Sequence, residues 1–319
     1  LLSLWKEVEM INSVRNTVLA IANKNNYGYI SPQDFNLYAQ QAQMDLFEEY
    51  FYSYNSWINK RNQRTAGSGY ADIVKGLEEV IDFFSVEVFT TLVAANIHSL
   101  PSDYYLVNKI LSLNSILGSA NGSSSSGNPT YLNDSSVSFS LSEVSVGDLV
   151  LNTDTNAEAV VIAINSSISL NLSANIFPNL PAINSYQIFP SGTSTMIERV
   201  SQNKITYLLS SKLTSPSTLF PAYTLEGDNV TIYPVALSPY VKAQYIRYPK
   251  APKWTWVTLT GGAPLFNSSA ADYQDFELPL SDEPTLIAKI CQYVGIEIRE
   301  QDVYAFGSGL ETKENQTES

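Results

Sequence analysis

Side chains that could take part in chemistry are few in this chain and lie far apart. His98 is the only histidine and Cys291 the only cysteine. A Ser-His-acid triad would therefore need His98 itself, which precedes Ser99-Leu100-Pro101 at the start of a predicted strand. One histidine and one distant cysteine do not make a zinc site. We predict no catalytic residue, no metal site and no bound cofactor, and we expect Cys291 to pack in a core.

Two pairs of adjacent carboxylates, Glu48-Glu49 and Glu78-Glu79, keep a glycan-active enzyme open as an alternative. Glycosidases use two carboxylates held at a defined separation. Both pairs lie in segments of helical periodicity, where a solvated helix face is the commoner explanation. The glycine-rich run Ala66–Tyr70 has no strand before it and no Gly-Lys after it, so we interpret it as an interhelical loop and not a phosphate-binding loop.

Two groups of basic residues could contact a nucleic-acid backbone. Lys60, Arg61 and Arg64 end a long predicted helix, where positive charge also interacts favourably with the helix dipole. The second group alternates with aromatic residues along the chain: Tyr240, Lys242, Tyr245, Arg247, Tyr248, Lys250, Lys253, Trp254 and Trp256. That alternation occurs in single-strand binding proteins. We favour a solvated strand face, or a contact with an acidic partner.

Composition argues against a general nucleic-acid binder. The chain has 18 Lys and Arg against 31 Asp and Glu, a net charge of −13, whereas phosphate contacts need dense positive charge. Only 15% of residues are charged and tyrosine is abundant, which is typical of surfaces that partners cover. A single cysteine indicates no disulfide framework. The sequence predicts neither a signal peptide nor a membrane-spanning helix.

Helical periodicity at both ends of the chain predicts the main helices. Three helices are predicted in the first hundred residues: 7–24, a long helix from Pro32 preceded by an N-cap at Ser31, and 73–84. Ser281-Asp282-Glu283-Pro284 predicts the start of a C-terminal helix that ends at Gly295 and is followed by a short amphipathic piece to Phe306. Three antiparallel helices do not enclose a core alone, so the C-terminal helix is predicted to complete the bundle.

Between these helices the pattern favours β structure. Four short strands in a Ser- and Asn-rich segment predict a small barrel or sandwich: 144–151, 159–164, 168–172 and 186–189. We interpret Ser119–Asn128 as a low-complexity linker or a disordered loop. Ile205–Ser210 is predicted to be a strand of the surrounding β region.

The predicted fold class is α+β, a split antiparallel helical bundle (three N-terminal helices plus a C-terminal helix) with a long β insertion that contains a small barrel-like module. The predicted domains are a 1–85 N-terminal helical part, an 86–128 and 191–280 β-domain, a 129–190 inserted small β module, a 281–306 C-terminal helical part completing the bundle, and a 307–319 polar tail.

Several short motifs resemble those of one family of virion proteins. They are Leu100-Pro101-Ser102-Asp103-Tyr104, Phe220-Pro221-Ala222-Tyr223, Val230-Thr231-Ile232-Tyr233-Pro234, Tyr245-Ile246-Arg247-Tyr248-Pro249 and the helix ending Val294-Gly295-Ile296. With the layout of helices and inserted β module, they resemble bacteriophage head-to-tail connector (adaptor) proteins. The chain looks similar to tail tubular protein A and to the ring proteins of short-tailed crAss-like phages.

This resemblance implies a structural protein and not an enzyme. Members form a homo-oligomeric ring, commonly twelvefold, around the DNA channel at the portal vertex and join the capsid portal to the tail. The implied partners are further copies of the chain, the portal protein and neighbouring ring or tail proteins, with genome DNA passing through without sequence-specific binding and with no membrane. The implied location is the virion, after synthesis in the bacterial cytoplasm. A capsid decoration or receptor-binding virion protein is the alternative.

Overall fold

The computed structural model describes residues 9–22, 30–62, 73–125, 127–140, 142–179, 182–237 and 239–297. Five helices lie in these ranges: α1 (Met10–Ala22), α2 (Pro32–Asn62), α3 (Ile73–Phe83), α4 (Gln202–Leu209) and α5 (Glu283–Glu297). The strands are β1 (Ser85–Phe89), β2 (Thr91–Ala94), β3 (Ile97–Ser99), β4 (Tyr104–Leu113), β5 (Leu117–Ser125), β6 (Asn128–Asn133), β7 (Leu149–Asn152), β8 (Ala157–Ser166), β9 (Ser169–Leu172), β10 (Asn184–Phe189), β11 (Ser194–Arg199), β12 (Ala222–Glu226), β13 (Asn229–Tyr233), β14 (Val241–Arg247), β15 (Trp256–Thr258) and β16 (Pro264–Phe266).

The predicted fold class, a split helical bundle with a β insertion, is wrong. The protein is mostly β, with 37% strand against 26% helix, and its sheets form a closed six-stranded barrel and a curled eight-stranded half-barrel. Helical periodicity identifies where helices form, but it does not show against what they bury their apolar faces. The β part was underestimated because many of its strands are polar and short.

The described residues divide into two compact units. One contains the residues up to Phe84 together with those from Tyr248 onward, and the other is Ser85–Arg247. Helices α1, α2, α3 and α5 belong to the first unit, and the half-barrel, the closed barrel and α4 belong to the second.

In the first unit, extended chain helps to fill the core between helices. The Trp254 indole is buried, and its Nε1 donates to Asn12 Oδ1 of α1 over 3.1 Å. The Arg15 guanidinium lies 3.8 Å from the centre of the Trp254 ring. Asn36 of α2 exchanges two hydrogen bonds with the Trp254 backbone. The helices therefore bury their faces partly against non-helical chain, which is why a four-helix description does not account for this core.

The starts of α1 and α2 are capped in different ways, one by a distant residue and one by a local residue. Ser31 accepts a hydrogen bond from Asp34 N over 3.1 Å, which confirms the predicted N-cap of α2. The start of α1 has no acidic residue in its first turn, and Asp275 supplies the acceptor from far along the chain. Its carboxylate accepts from Met10 N at 3.0 Å and from Ile11 N at 2.8 Å. The prediction that the last helix ends at Gly295 is wrong, since α5 continues to Glu297.

The eight-stranded sheet is curled so that one stretch of chain supplies both of its edges. Its order is β1-β14-β4-β11-β12-β13-β3-β2, and only Thr90 separates β1 from β2 along the chain. Thr90 N donates to Val241 O over 2.9 Å, so the stretch stays attached to β14 as it turns to pair with β3. The inner face buries apolar side chains that include Ile110, Val230 and Ala243.

The closed barrel has the order β10-β5-β6-β9-β8-β7, with β10 pairing with both β5 and β7. Its interior holds a cluster of buried apolar side chains around Leu132, Phe139 and Tyr186. The interpretation of Ser119–Asn128 as a linker or disordered loop is wrong, because most of it forms β5 and the start of β6. At Gly122 a β-carbon would lie 2.7 Å from atoms of both Phe177 and Tyr186, so small residues in this strand make room for the rings.

The barrel packs on the half-barrel through a small apolar cluster and through Lys242 of β14, which forms an ion pair with Glu158 of β8. Leu151 and Phe189 of the barrel are buried together with Phe89 and Leu113 of the curled sheet. The Phe89 and Phe189 ring centres are 5.5 Å apart. These contacts make the barrel a part of the same compact unit.

Candidate interaction surfaces

His98 is buried in the curled sheet, next to the residue that separates β1 from β2. Its side chain is buried in β3, and its Nδ1 lies 3.0 Å from Thr90 Oγ1. The Thr90 hydroxyl donates its proton to Val241 O, so Nδ1 carries a hydrogen and donates to Thr90. Burial lowers the pKa of His98, which keeps the ring neutral near pH 7.

The paired carboxylates are engaged in separate contacts within the helical unit. Glu49 forms an ion pair with Lys289 at 3.2 Å, and Glu78 accepts a hydrogen bond from Tyr54 Oη at 3.1 Å. Glu48 and Glu79 are exposed. No cluster of three or more His, Cys, Asp or Glu side chains that could hold a metal ion occurs in the part of the chain that the structure describes. Cys291 is fully buried, as predicted.

Several of the basic and aromatic residues that alternate along the chain are already engaged in contacts within the protein, which does not favour a nucleic-acid site. Lys242 lies 3.4 Å from Glu87 and 3.0 Å from Glu158, while Lys253 lies 2.5 Å from Asp272. The Trp254 ring is buried and stacks on other rings, and is thus not available to a base. Lys242 and Lys253 therefore form ion pairs within the chain itself. The side chains of the other basic group, 60, 61 and 64, and the glycine-rich run 66–70 lie outside the described residues.

An exposed apolar surface that the sequence analysis did not identify lies at α4 and the loop after it. The predicted strand over 205–210 is wrong, because Gln202–Leu209 forms a helix that Ser201 caps by accepting a hydrogen bond from Lys204 N. Ile205 is the one buried residue of this helix. Large apolar side chains of this segment are exposed, with Leu213 at 94% and Phe220 at 79% of their possible area. The members of this surface, called the α4 loop surface, are Arg199, Lys204, Tyr207, Leu209, Lys212, Leu213, Leu219 and Phe220.

The α4 loop surface is held by backbone and hydroxyl hydrogen bonds and not by its apolar side chains. Ser217 N donates to Phe220 O at 3.2 Å, and Phe220 N donates back to Ser217 O at 3.1 Å. Thr214 Oγ1 donates to Leu208 O at 3.1 Å. The loop is therefore shaped before any partner binds, while Leu213 and Phe220 remain in solvent.

A second exposed apolar surface lies on the outside of the closed barrel. Residues alternate along β8, so Ala159 and Val161 face the core while Val160, Ile162 and Ile164 face outward. A neighbouring turn is tied to this strand by a 2.9 Å hydrogen bond from Gly147 N to Val161 O. The members of this surface, called the β8 face, are Glu143, Val146, Val160, Ile162, Ile164 and Ile168.

The two surfaces differ in charge. Segment 199–220 carries three bases, Arg199, Lys204 and Lys212, and no acid. The barrel segment 117–189 carries five acids and no base. Two of these acids, Asp134 and Asp148, are buried, and Glu158 pairs with Lys242. The remaining acids, Glu143 and Asp154, are exposed. Glu143 belongs to the β8 face, whereas Asp154 lies in the turn before β8 and accepts a hydrogen bond from Ser185 N at 2.7 Å.

Comparison with known proteins adds no family to these observations: no family model matches the chain, and no curated protein matches its sequence. Among the described residues, none of the helices has the length and apolar character needed to cross a bilayer.

Proposed function

We propose that the chain is a virion structural protein that forms an oligomeric ring of a bacteriophage head-to-tail connector. The ring would surround the DNA channel and join the capsid portal to the tail. In this proposal the partners are further copies of the chain, the portal protein and a neighbouring ring or tail protein, and DNA passes without sequence-specific contacts.

The observation that supports the proposal is the pair of exposed apolar surfaces on one compact unit. Rows of large apolar side chains in solvent mark sites that partners cover. A subunit of a closed ring needs two different surfaces, one for each neighbour, because the contact between subunits is heterologous. The α4 loop surface and the β8 face provide two such surfaces with different shapes and charges.

The proposal is tested by the copy number of this chain in purified virions, measured against the portal protein by quantitative mass spectrometry. A ratio near one, or a small integer multiple of it, is the expected result because stacked rings at one vertex share its symmetry. A ratio in the tens would instead assign the chain to capsid decoration. Absence of the chain from virions would overturn the structural role and return attention to the glycan-active alternative.

A further inference from the structure

We propose that the α4 loop surface of one copy binds the β8 face of the next copy, head to tail. This inference rests on the proposed ring and assigns the contact that would build it. It commits to a second copy of this chain as the occupant of both surfaces.

Charge complementarity supports this pairing. The α4 loop surface presents Arg199, Lys204 and Lys212, whereas the β8 face presents Glu143 and belongs to a barrel segment without a basic residue. Two α4 loop surfaces facing each other would bring positive charges together, and two β8 faces would bring negative charges together. Opposite charge around an apolar centre selects the mixed contact and disfavours the two symmetric ones.

The apolar side chains of the two surfaces are arranged differently. Leu213 and Phe220 project from an ordered loop, while Val160, Ile162 and Ile164 form a row on the outside of a sheet. Side chains two residues apart on one strand face are about 7 Å apart, which leaves shallow grooves between them for projecting side chains. The expected centre of the contact is Leu213 and Phe220 on Ile162, with the charged groups at the rim.

A contact between two different surfaces of the same chain has a consequence for assembly. It leaves a free α4 loop surface at one end of every oligomer and a free β8 face at the other. Addition of copies continues until the ring closes. A symmetric contact would stop at a dimer.

The experiment uses the full chain and two variants, each damaged on one surface. The first variant carries Leu213→Asp and Phe220→Asp, and the second carries Ile162→Asp. All three positions are exposed, so folding should be preserved, and circular dichroism checks it. The matched control is Leu37→Asp, which places the same charge at an exposed leucine of α2. Assembly is measured by sedimentation velocity and native mass spectrometry.

We expect the wild type and the control to form the same closed oligomer. Each variant alone should associate at least about tenfold more weakly, as expected for loss of a central apolar contact. The mixture of the two variants should form a heterodimer with one copy of each, because it contains one intact α4 loop surface facing one intact β8 face. Larger oligomers should not form from the mixture.

A second pair of variants tests the charges without changing the apolar centre. Lys204→Glu with Lys212→Glu should weaken association about tenfold, and adding Glu143→Lys to the same chain should recover part of that loss. The assigned contact would be overturned if adding Glu143→Lys recovers no association and if the two apolar variants, Leu213→Asp with Phe220→Asp and Ile162→Asp, associate as strongly as the wild type.

The results separate this inference from the proposed function. If both apolar variants assemble like the wild type, the contact is wrong while the ring stands. If each variant is monomeric but the mixture gives no heterodimer, the head-to-tail pairing of these two surfaces is wrong. If the wild type forms no oligomer at any concentration and the virion ratio does not fit a ring, both proposals fail.

Discussion

Replacing Tyr186 with Phe removes one hydroxyl group from the interior of the closed barrel and leaves the ring in place. Tyr186 is fully buried, and its Oη donates to Asp134 Oδ2 over 3.0 Å. Asp134 is also buried and accepts further hydrogen bonds, among them those from Ser136 N at 2.8 Å and Ser136 Oγ at 2.6 Å. The variant therefore removes one hydrogen-bond donor to the buried Asp134 carboxylate, which keeps its hydrogen bonds from Ser136.

The expected cost follows from these contacts. A hydrogen bond to a charged group contributes about 1.5–3 kcal/mol, and Phe fills the same apolar space as the Tyr ring. Because Asp134 keeps the Ser136 contacts, we expect the free energy of unfolding to fall by about 2 kcal/mol at neutral pH. Complete loss of the barrel is not expected.

The cost should depend on pH. Burial alone would raise the pKa of Asp134, but hydrogen bonds from Ser119, Ser136 and Tyr186 outweigh it and lower this pKa in the folded state. The unfolded chain therefore binds more protons in acid, and the stability that ionised Asp134 contributes is present above its unfolded pKa and lost as the pH falls. Once Asp134 is protonated, the Tyr186 hydroxyl matters less. The difference between wild type and variant should shrink in acid.

Urea unfolding followed by far-ultraviolet circular dichroism measures both effects, at neutral pH and at about pH 3.5. The matched control is Tyr52→Phe, which removes a hydroxyl from an exposed tyrosine of α2 and should change nothing. A double-mutant cycle with Asp134→Asn isolates the pair itself. A loss below about 0.5 kcal/mol at neutral pH, or an equal loss at both pH values, would refute the reasoning.

Three further predictions concern other buried contacts. As the only histidine, His98 should show one imidazole titration by NMR with a pKa below its usual 6.5, and unfolding should become easier as the pH drops below 6.5; a higher pKa would contradict the buried neutral ring. Asp275→Asn should cost about 1–2 kcal/mol in urea unfolding by tryptophan fluorescence, because it weakens the cap of α1; an unchanged midpoint would show that the cap is dispensable. Gly122→Ala should cost about 1–3 kcal/mol through crowding of Tyr186, whereas Gly127→Ala, with no atom within 4 Å of the added carbon, is the control; equal effects would contradict crowding as the cause.

Elements that depend on local sequence could be predicted, whereas several polar segments could not. The start of α2 was predictable because Ser31, Pro32 and Asp34 act within one turn. The β5 strand was not, because Ser and Gly in sequence indicate a loop, and only the ring of Tyr186 explains why small residues are needed there. The α4 helix was not predicted, because it is short and buries a single apolar residue, which leaves little helical periodicity in the sequence.

For the candidate surfaces, the sequence contained no pattern that marked them. In the sequence, Leu213 and Phe220 do not differ from apolar residues of the core, and only the folded structure shows that they are exposed to solvent. The alternation on β8 was visible as a strand, but a run of Val and Ile on both faces does not show which face is covered.

The sequence by itself determined the positions of the main helices, the burial of Cys291 and the uneven distribution of charge. These follow from residue order over a few turns or from counting. The tertiary structure alone decided that the fold is mostly β, that a Ser-rich stretch belongs to a closed barrel, and that Asp275 caps α1 from the other end of the chain. Such contacts join residues far apart in sequence, and exposure is a property of what the folded chain covers, so neither can be read from local pattern.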